Sequence, residues 1–303
     1  MVVDNIKKLE KTLKSKYTSI YLFHGVIKNK LKSSSVRNYN NKHLTKKKFE
    51  NYIKYLSLNG HAISLNNISK NKNLKNKFII TFDDGFYNNY KIALPILKKY
   101  RVPHIIYITS NYVDKNLISW IDRVDIAIDK TKKKEIYSKI LKKKFKINNK
   151  KNKIKFLNYT RNYCKSLKKK DLNKFTDKLL KDINLTSPLK SNNDLDKKLD
   201  WKSIIKMNKD KLTEFGGHSH NHNILGHLDE KTWKNEIINN LKFIENKAMI
   251  KVKHYSFPEG FESSFNNKMI KFLKQKGIKT SVTTLTKKEN INNPYKLNRF
   301  FVV

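Results

Sequence analysis

Three short polar clusters interrupt a lysine-rich chain of 303 residues: Asp83-Asp84-Gly85, His218-Ser219-His220-Asn221-His222 and Pro258-Glu259-Gly260. Two adjacent carboxylates after an apolar run are costly to hold together, because like charges raise one pKa. A cation removes that cost, and one aspartate can then bind the ion while the other acts as base. The plainer alternative is a turn, since Asp and Gly are common turn residues. His218 and His222 are four apart, so on a helical turn their rings would face one point. Neutral imidazole is a common ligand for zinc and its neighbours. Four of the nine histidines fall between His218 and His227, which favours a ligand site over a loop that happens to contain histidine. His220 and His227 do not repeat the spacing and read as bystanders. Two histidines and one carboxylate leave positions open for water and a substrate oxygen, the catalytic rather than the structural arrangement. Such an ion polarises an amide carbonyl and activates water, and a free carboxylate nearby accepts the water's proton.

Each cluster follows an apolar strand-like run, so all three belong at the carboxyl end of a strand, where parallel α/β folds place their sites. Tyr17 to Val26 reads as a buried strand and Lys77 to Phe82 as a second. Tyr87 to Tyr100 is helical in pattern despite Pro95, and Pro103 to Ile108 is a third strand. Strand, helix, strand implies a parallel sheet. The rhythm resumes with strands at Leu212 to Gly217, Lys253 to Phe257 and Thr280 to Thr284. Helices are expected over Thr45 to Asn59, capped by Thr45, over Asp229 to Lys247 and over Asn266 to Lys276. Residues 111–201 differ: they are lysine-dense and nearly glycine-free, with helical periodicity in EIYSKILKKKFKI and DLNKFTDKLLKDI and a loop near Ser187 to Asp200. They read as a helical insertion or cap within a single domain spanning 1–303.

The net charge of +42 suggests nucleic acid at first sight. Only five of the 67 basic residues are arginine, however: Arg37, Arg101, Arg123, Arg161 and Arg299. Specific readout of bases and phosphates leans on the bidentate guanidinium, so no specific nucleic-acid partner is expected. The lysines travel with asparagine and isoleucine, as a genome rich in A and T would produce. So basic a surface is still expected to attract anionic partners at low salt, such as an acidic glycan carrier or the periphery of an anionic membrane. No run of 18 apolar residues and no apolar N-terminal segment occurs, and Cys164 stands alone, which together point to a cytoplasmic location.

At these residues the chain resembles the polysaccharide deacetylase family (NodB homology, carbohydrate esterase family four). Thr81-Phe82-Asp83-Asp84-Gly85 is similar to its first motif, and His218-Ser219-His220-Asn221-His222 to its second, His-Ser/Thr-x-x-His. Tyr21-Leu22-Phe23-His24-Gly25-Val26 is similar to the YHxV strand of many members. Ser256-Phe257-Pro258-Glu259-Gly260 resembles a degenerate third motif. The resemblance implies a distorted (β/α) barrel of seven strands. It implies Asp83 as general base and Asp84, His218 and His222 as ligands of one divalent metal ion, commonly zinc, with cobalt, manganese, nickel or iron as substitutes. The implied substrate is an N-acetylated amino sugar in a glycan or a lipid-linked glycan precursor. In the third motif Ser256 stands where the family has an arginine that orients the aspartate, and Glu259 replaces an aromatic residue. The backbone at Pro258 and Glu259 could still serve an oxyanion hole. The late histidine that serves the family as general acid has no counterpart, and His24 is the substitute, against a buried hydrogen-bonded histidine. These departures also motivate an alternative: a catalytically impaired relative that binds glycan without hydrolysing it.

Overall fold

The apolar runs become one parallel sheet in the computed structural model, which describes residues 2–70, 75–285 and 293–303. Its strands in chain order are β1 (Val2–Val3), β2 (Ser19–Phe23), β3 (His61–Ala62), β4 (Lys77–Phe82), β5 (His104–Ile108), β6 (Thr213–Gly217), β7 (His254–Ser256), β8 (Thr280–Thr283), β9 (Leu297–Asn298) and β10 (Phe300–Val302). Every pairing in this sheet is parallel, in the sequence β2-β4-β5-β6-β7-β8. β9 then pairs with β8, while β10 pairs with β2. Only Arg299 separates β9 from β10. The ring is thus a distorted barrel whose seventh strand is broken at Arg299, which agrees with the seven strands implied by the resemblance. The strands are continuous runs such as FIIT and HIIYI, as burial on both faces requires. Phe23 and Phe49 pack edge to face, and Phe82 packs against both at a tilt, inside the largest apolar cluster.

The helices are α1 (Ile6–Leu13), α2 (Lys46–Asn59), α3 (Leu94–Lys99), α4 (Ser110–Lys115), α5 (Trp120–Lys130), α6 (Lys150–Ser166), α7 (Leu172–Asp182), α8 (Trp201–Asn208), α9 (Glu230–Ala248) and α10 (Asn267–Gln275). Thr45 caps α2 by accepting from the Lys48 N–H, and Asp229 caps α9 in the same way. Residues of α5, α6 and α7 build their own apolar cluster around Val124, Phe156 and Leu179, apart from the barrel core.

Three local expectations change. The strand expected over Tyr17 to Val26 breaks at His24, and Gly25–Ile27 leaves the barrel to pair with His43–Thr45. The helix expected over Tyr87 to Tyr100 forms over residues 87–99 but winds as a π-turn at Asn89–Ala93, and Pro95 falls where that π-turn passes into α3. EIYSKILKKKFKI is an antiparallel hairpin, Glu135–Ser138 with Lys143–Lys146, rather than a helix. Its buried residues Ile136, Ser138 and Phe145 alternate along the strands, and Lys142 turns with φ 50°. Lysine at many positions masked that period of two.

Candidate active site

Asp83 and Asp84 leave the carboxyl end of β4. The Asp83 N–H donates to the Phe23 carbonyl at 3.1 Å, which extends the sheet by one bond. Asp84 (φ 72°) and Gly85 (φ 66°) then turn the chain through left-handed backbone. Ser219, His222 and Glu259 share that conformation. Each costs a non-glycine residue about 1–3 kcal/mol, and such strain collects at functional sites.

β6 ends in Gly216-Gly217. A Cβ at Gly216 would meet the Tyr107 ring, and one at Gly217 would meet Asn240 and the Tyr255 ring. The close packing that glycine permits brings His218 to the strand edge. The segment from His218 to His222 is a loop, not the helical turn that the spacing of four suggested. The rings nevertheless converge, with centroids 4.9 Å apart. Helix α9 pins the loop from its buried face. Glu236 accepts from the backbone N–H groups of His220 and Asn221 at 3.0 and 2.7 Å. Asn240, one turn on, donates to the carbonyls of Ile108 and Ser219 at 2.8 and 2.7 Å. His220 bonds to Ser110 and His227 to Leu167 and Ser263, away from the cluster.

His218 Nδ1 donates to the Ser256 carbonyl at 2.7 Å, which leaves its Nε2 lone pair free. That nitrogen lies 3.6 Å from Asp84 Oδ1, and His222 Nε2 lies 3.2 Å from the same oxygen. One ligand atom from each of the three residues falls within 4.8 Å of the others. Lys42 holds the other Asp84 oxygen at 3.1 Å and also meets Asp122 at 3.1 Å. Burial works to raise the Asp84 carboxyl, but Lys42 and His222 outweigh it and hold it well below the usual range. Burial works to lower His222, yet the Asp84 charge raises it. The Asp84 charge therefore draws positive charge to this point, while burial keeps His218 below its ordinary value and so neutral, the form that binds metal. A buried carboxylate oxygen with no hydroxyl or backbone donor, two converging imidazoles and that charge fit a divalent cation.

Asp83 is held differently. Arg299 makes two short parallel bonds to it, Nη1 to Oδ1 at 2.7 Å and Nη2 to Oδ2 at 2.8 Å. Burial works to raise the Asp83 carboxyl, and Arg299 overcomes it and keeps it below the ordinary range. Arg299 Nη2 also reaches Ser256 Oγ at 3.0 Å, and Ser256 Oγ donates to Asp83 at 3.3 Å. The sequence left Asp83 without an orienting arginine because Ser256 stands in the third motif. The structure corrects that: the guanidinium arrives from the break in the seventh strand, over the small serine.

A pocket of about 270 Å³ opens on these groups. It is lined by Asp83, Asp84, His218 and His222, by His24, and by residues of α5 and α6. Burial pushes the His24 imidazole down to about 4, its Nδ1 has no hydrogen-bond partner among the described residues, and its ring meets Phe301 edge-on. Glu259 lines the pocket with its side chain, which Lys165 pairs at 2.7 Å, and its carbonyl accepts from Thr284 Oγ1 at 2.7 Å. Its backbone N–H makes no hydrogen bond among the described residues. Pro258 is buried beside it and does not line the pocket.

Buried carboxylates and imidazoles gathered over the carboxyl ends of a parallel (β/α) barrel are an enzyme layout, with a donor set suited to hydrolysis. More narrowly, the chain belongs to the polysaccharide deacetylase family, whose model matches residues 70–183 and 157–281. No curated protein matches the chain in sequence. Among solved structures it resembles the Streptococcus pyogenes deacetylase PplD, in complex with acetate, at 13% identity and a TM-score of 0.59, covering 94% of this chain and 92% of that one. IcaB from Ammonifex degensii matches at 12% identity and a TM-score of 0.56, over 96% and 93% of the two chains. A de-N-acetylase from Aggregatibacter actinomycetemcomitans matches at 15% and 0.56, over 94% of each. At such identities the likeness is one of fold. Among the described residues no helix is long and apolar enough to cross a membrane.

Sequence reading missed four contributors: Arg299, Lys42, Glu236 and Asn240. Glu236 and Asn240 carried a faint signal, two polar residues four apart on the buried face of an amphipathic helix. Arg299 was one of only five arginines in a chain that otherwise uses lysine, which could have marked it. Nothing distinguished Lys42 from its 61 fellow lysines.

Proposed function

We propose that this protein hydrolyses the N-acetyl group of an amino sugar in a glycan or glycan precursor. The observation that carries the reading is Asp83, bound on both oxygens by Arg299 and set beside a separate Asp84-His218-His222 triad in one pocket. The two carboxylates differ in environment and so divide the work. Asp84, His218 and His222 would hold one divalent ion, with zinc the first candidate and cobalt, manganese, nickel or iron as substitutes. That ion would polarise the amide carbonyl and make a water acidic enough to attack. Asp83 accepts the proton of the attacking water, and Arg299 keeps it ionised and aimed. The unengaged Glu259 N–H donates to the carbonyl oxygen as negative charge develops there. The proton that Asp83 takes from the water passes to the departing nitrogen as the C–N bond breaks, which leaves acetate and the free amine. His24, which burial keeps neutral down to about pH 4, lines the pocket beside these groups but is not the imidazolium that a proton donor requires. A non-catalytic binder was motivated by the missing third-motif arginine and late histidine; Arg299 meets the first of those grounds. The test is acetate release from N-acetylglucosamine oligomers by protein loaded with zinc or cobalt. Release above the metal-free protein supports the reading, and none across several linkages and both metals sinks it.

A further inference from the structure

Three carboxylates line the pocket, and each is paired with a different cation. Arg299 holds Asp83, Lys42 holds Asp84 and Lys165 holds Glu259. Arg161 also lines the pocket, and among the described lining residues it is the cation left over. It projects from α6 one turn before Lys165, so the two basic groups share a helix face. Its carboxylate partner is Asp125, and that pairing is poor. Nη2 alone reaches the two Asp125 oxygens, at 3.5 and 3.4 Å. Arg299 shows what a satisfied guanidinium in this site looks like: two nitrogens on two oxygens, each below 3 Å. The Arg161 Nε is buried and has no hydrogen-bond partner. Burial moreover pushes the Asp125 carboxyl up to about 7, so at neutral pH it balances the Arg161 charge only in part. Lys198 is buried and unpartnered too, but it sits over the Phe86 ring at 3.4 Å and does not line the pocket.

The Arg161 side chain is 18% exposed and its guanidinium packs over the Tyr39 ring at 5.6 Å, but a largely buried guanidinium with donors to spare still costs stability until an oxyanion meets it. Taking the deacetylase reading as the frame, we infer that Arg161, with Lys165 beside it, is an anion subsite. The N-acetylated sugar that this pocket takes therefore carries a carboxylate or phosphate close to its acetamide group. The lysine-rich insertion would then be the part of the chain that selects the substrate, while the barrel supplies the hydrolytic groups.

Calorimetric titration of the zinc-loaded protein at 0.15 M salt, with acetate assayed in the same samples, tests this. The probes are N-acetylglucosamine, its 6-phosphate, and N-acetylmuramic acid, which bears a carboxylate. At least one anionic probe should bind about tenfold tighter than the neutral sugar, the scale of one charge-assisted hydrogen bond. Which one does so separates phosphate from carboxylate. Arg161→Gln should erase that preference and leave the neutral sugar's affinity unchanged, and Arg161→Lys should restore part of it. Replacing the exposed Lys242 and Lys247 of α9 by glutamine should change nothing, which separates a built subsite from general attraction to a basic surface. If Arg161→Gln fails to fold, Lys165→Gln should reduce the preference in its place. Equal binding of all three probes overturns the proposal, as do a preference that survives in Arg161→Gln and an absence of binding by any probe. The deacetylase reading is decided separately, by acetate release from neutral oligomers.

Discussion

Replacing Arg299 by glutamine isolates what the broken seventh strand contributes to the chemistry. The guanidinium is 1% exposed and makes two short bonds to a carboxylate that is itself buried. Removing one partner of such a pair leaves an uncompensated buried charge and costs about 3–5 kcal/mol of stability. That is a large share of the roughly 5–15 kcal/mol that holds an average domain folded, so thermal unfolding must be followed beside activity. The sign of the pH effect follows from the two opposing influences on Asp83. Burial favours the protonated acid, and Arg299 favours the carboxylate and wins. In the wild type the base is therefore ionised throughout the neutral range, and kcat/KM falls only when the pH drops below the ordinary carboxylate range. Without Arg299 burial is opposed only by the smaller pulls of His218 and His24, the Asp83 carboxyl titrates higher, and the acid limb of the profile moves to higher pH. At the plateau a loosened base should cost about a hundredfold in kcat, some 2.7 kcal/mol. Metal content should not change, because the hydrogen bonds and ion pairs of Arg299 do not include Asp84, His218 or His222. Arg299→Lys, with one ammonium in place of two parallel N–H groups, should fall between. A sharper test moves the arginine: Ser256→Arg combined with Arg299→Ala places a guanidinium where the third motif carries it and should recover part of the lost rate. A folded Arg299→Gln protein with an unmoved acid limb and unchanged kcat would refute the tuning argument.

Asp83→Asn should lower acetate release by about 10²- to 10⁴-fold, the usual worth of a general base, with one ion per chain still present by elemental analysis; retained turnover would remove Asp83 from its role. His218→Ala with His222→Ala should abolish the bound ion. In the wild type, free zinc at a hundred times its Kd should add about 2.7 kcal/mol to the unfolding free energy, and a shift that persists in the double variant would place the metal elsewhere. Two histidines remote from the pocket, His104 and His254, are pushed down by burial from 6.5 to about 4. Both stay neutral when folded, so unfolding takes up protons below pH 6.5, and stability should fall as the pH drops towards 4 and level off below it. The loss is up to about 3 kcal/mol for each histidine. Urea unfolding at pH 6.5 and 4.5 that gives one and the same free energy would contradict this.

What could be read from the sequence was set by how local each signal is. FIITFDDG and EFGGHSHNH declare strand and site in a single stretch, because a buried parallel strand must be apolar throughout and its carboxyl end is where the polar groups emerge. The seven-stranded barrel followed from such runs together with the family resemblance. The two histidine rings converge for a different local reason from the one their spacing suggested. They meet because Ser219 and His222 adopt left-handed backbone and α9 holds the loop by Glu236 and Asn240, whereas the spacing of four suggested a helix. The hairpin at 135–147 was lost to composition: where lysine fills so many positions, periods of 2 and 3.6 are told apart by only three or four apolar residues.

The third motif carries the deeper lesson, because a missing residue was read as a missing interaction. Asp83 needs a cation on its two oxygens, not an arginine at one particular position in the chain. In a closed ring the last strand lies beside the first, so residue 299 reaches residue 83 as directly as residue 256 would. Ser256 then has to be small, since a larger side chain would occupy the volume through which the guanidinium passes, and its hydroxyl bonds both partners. The serine and the late arginine are therefore a single solution. The same logic bears on His24. It directly follows β2, the strand that pairs with β10 just beyond Arg299. The break that delivers the arginine thus lies next to the strand end that carries His24 into the pocket.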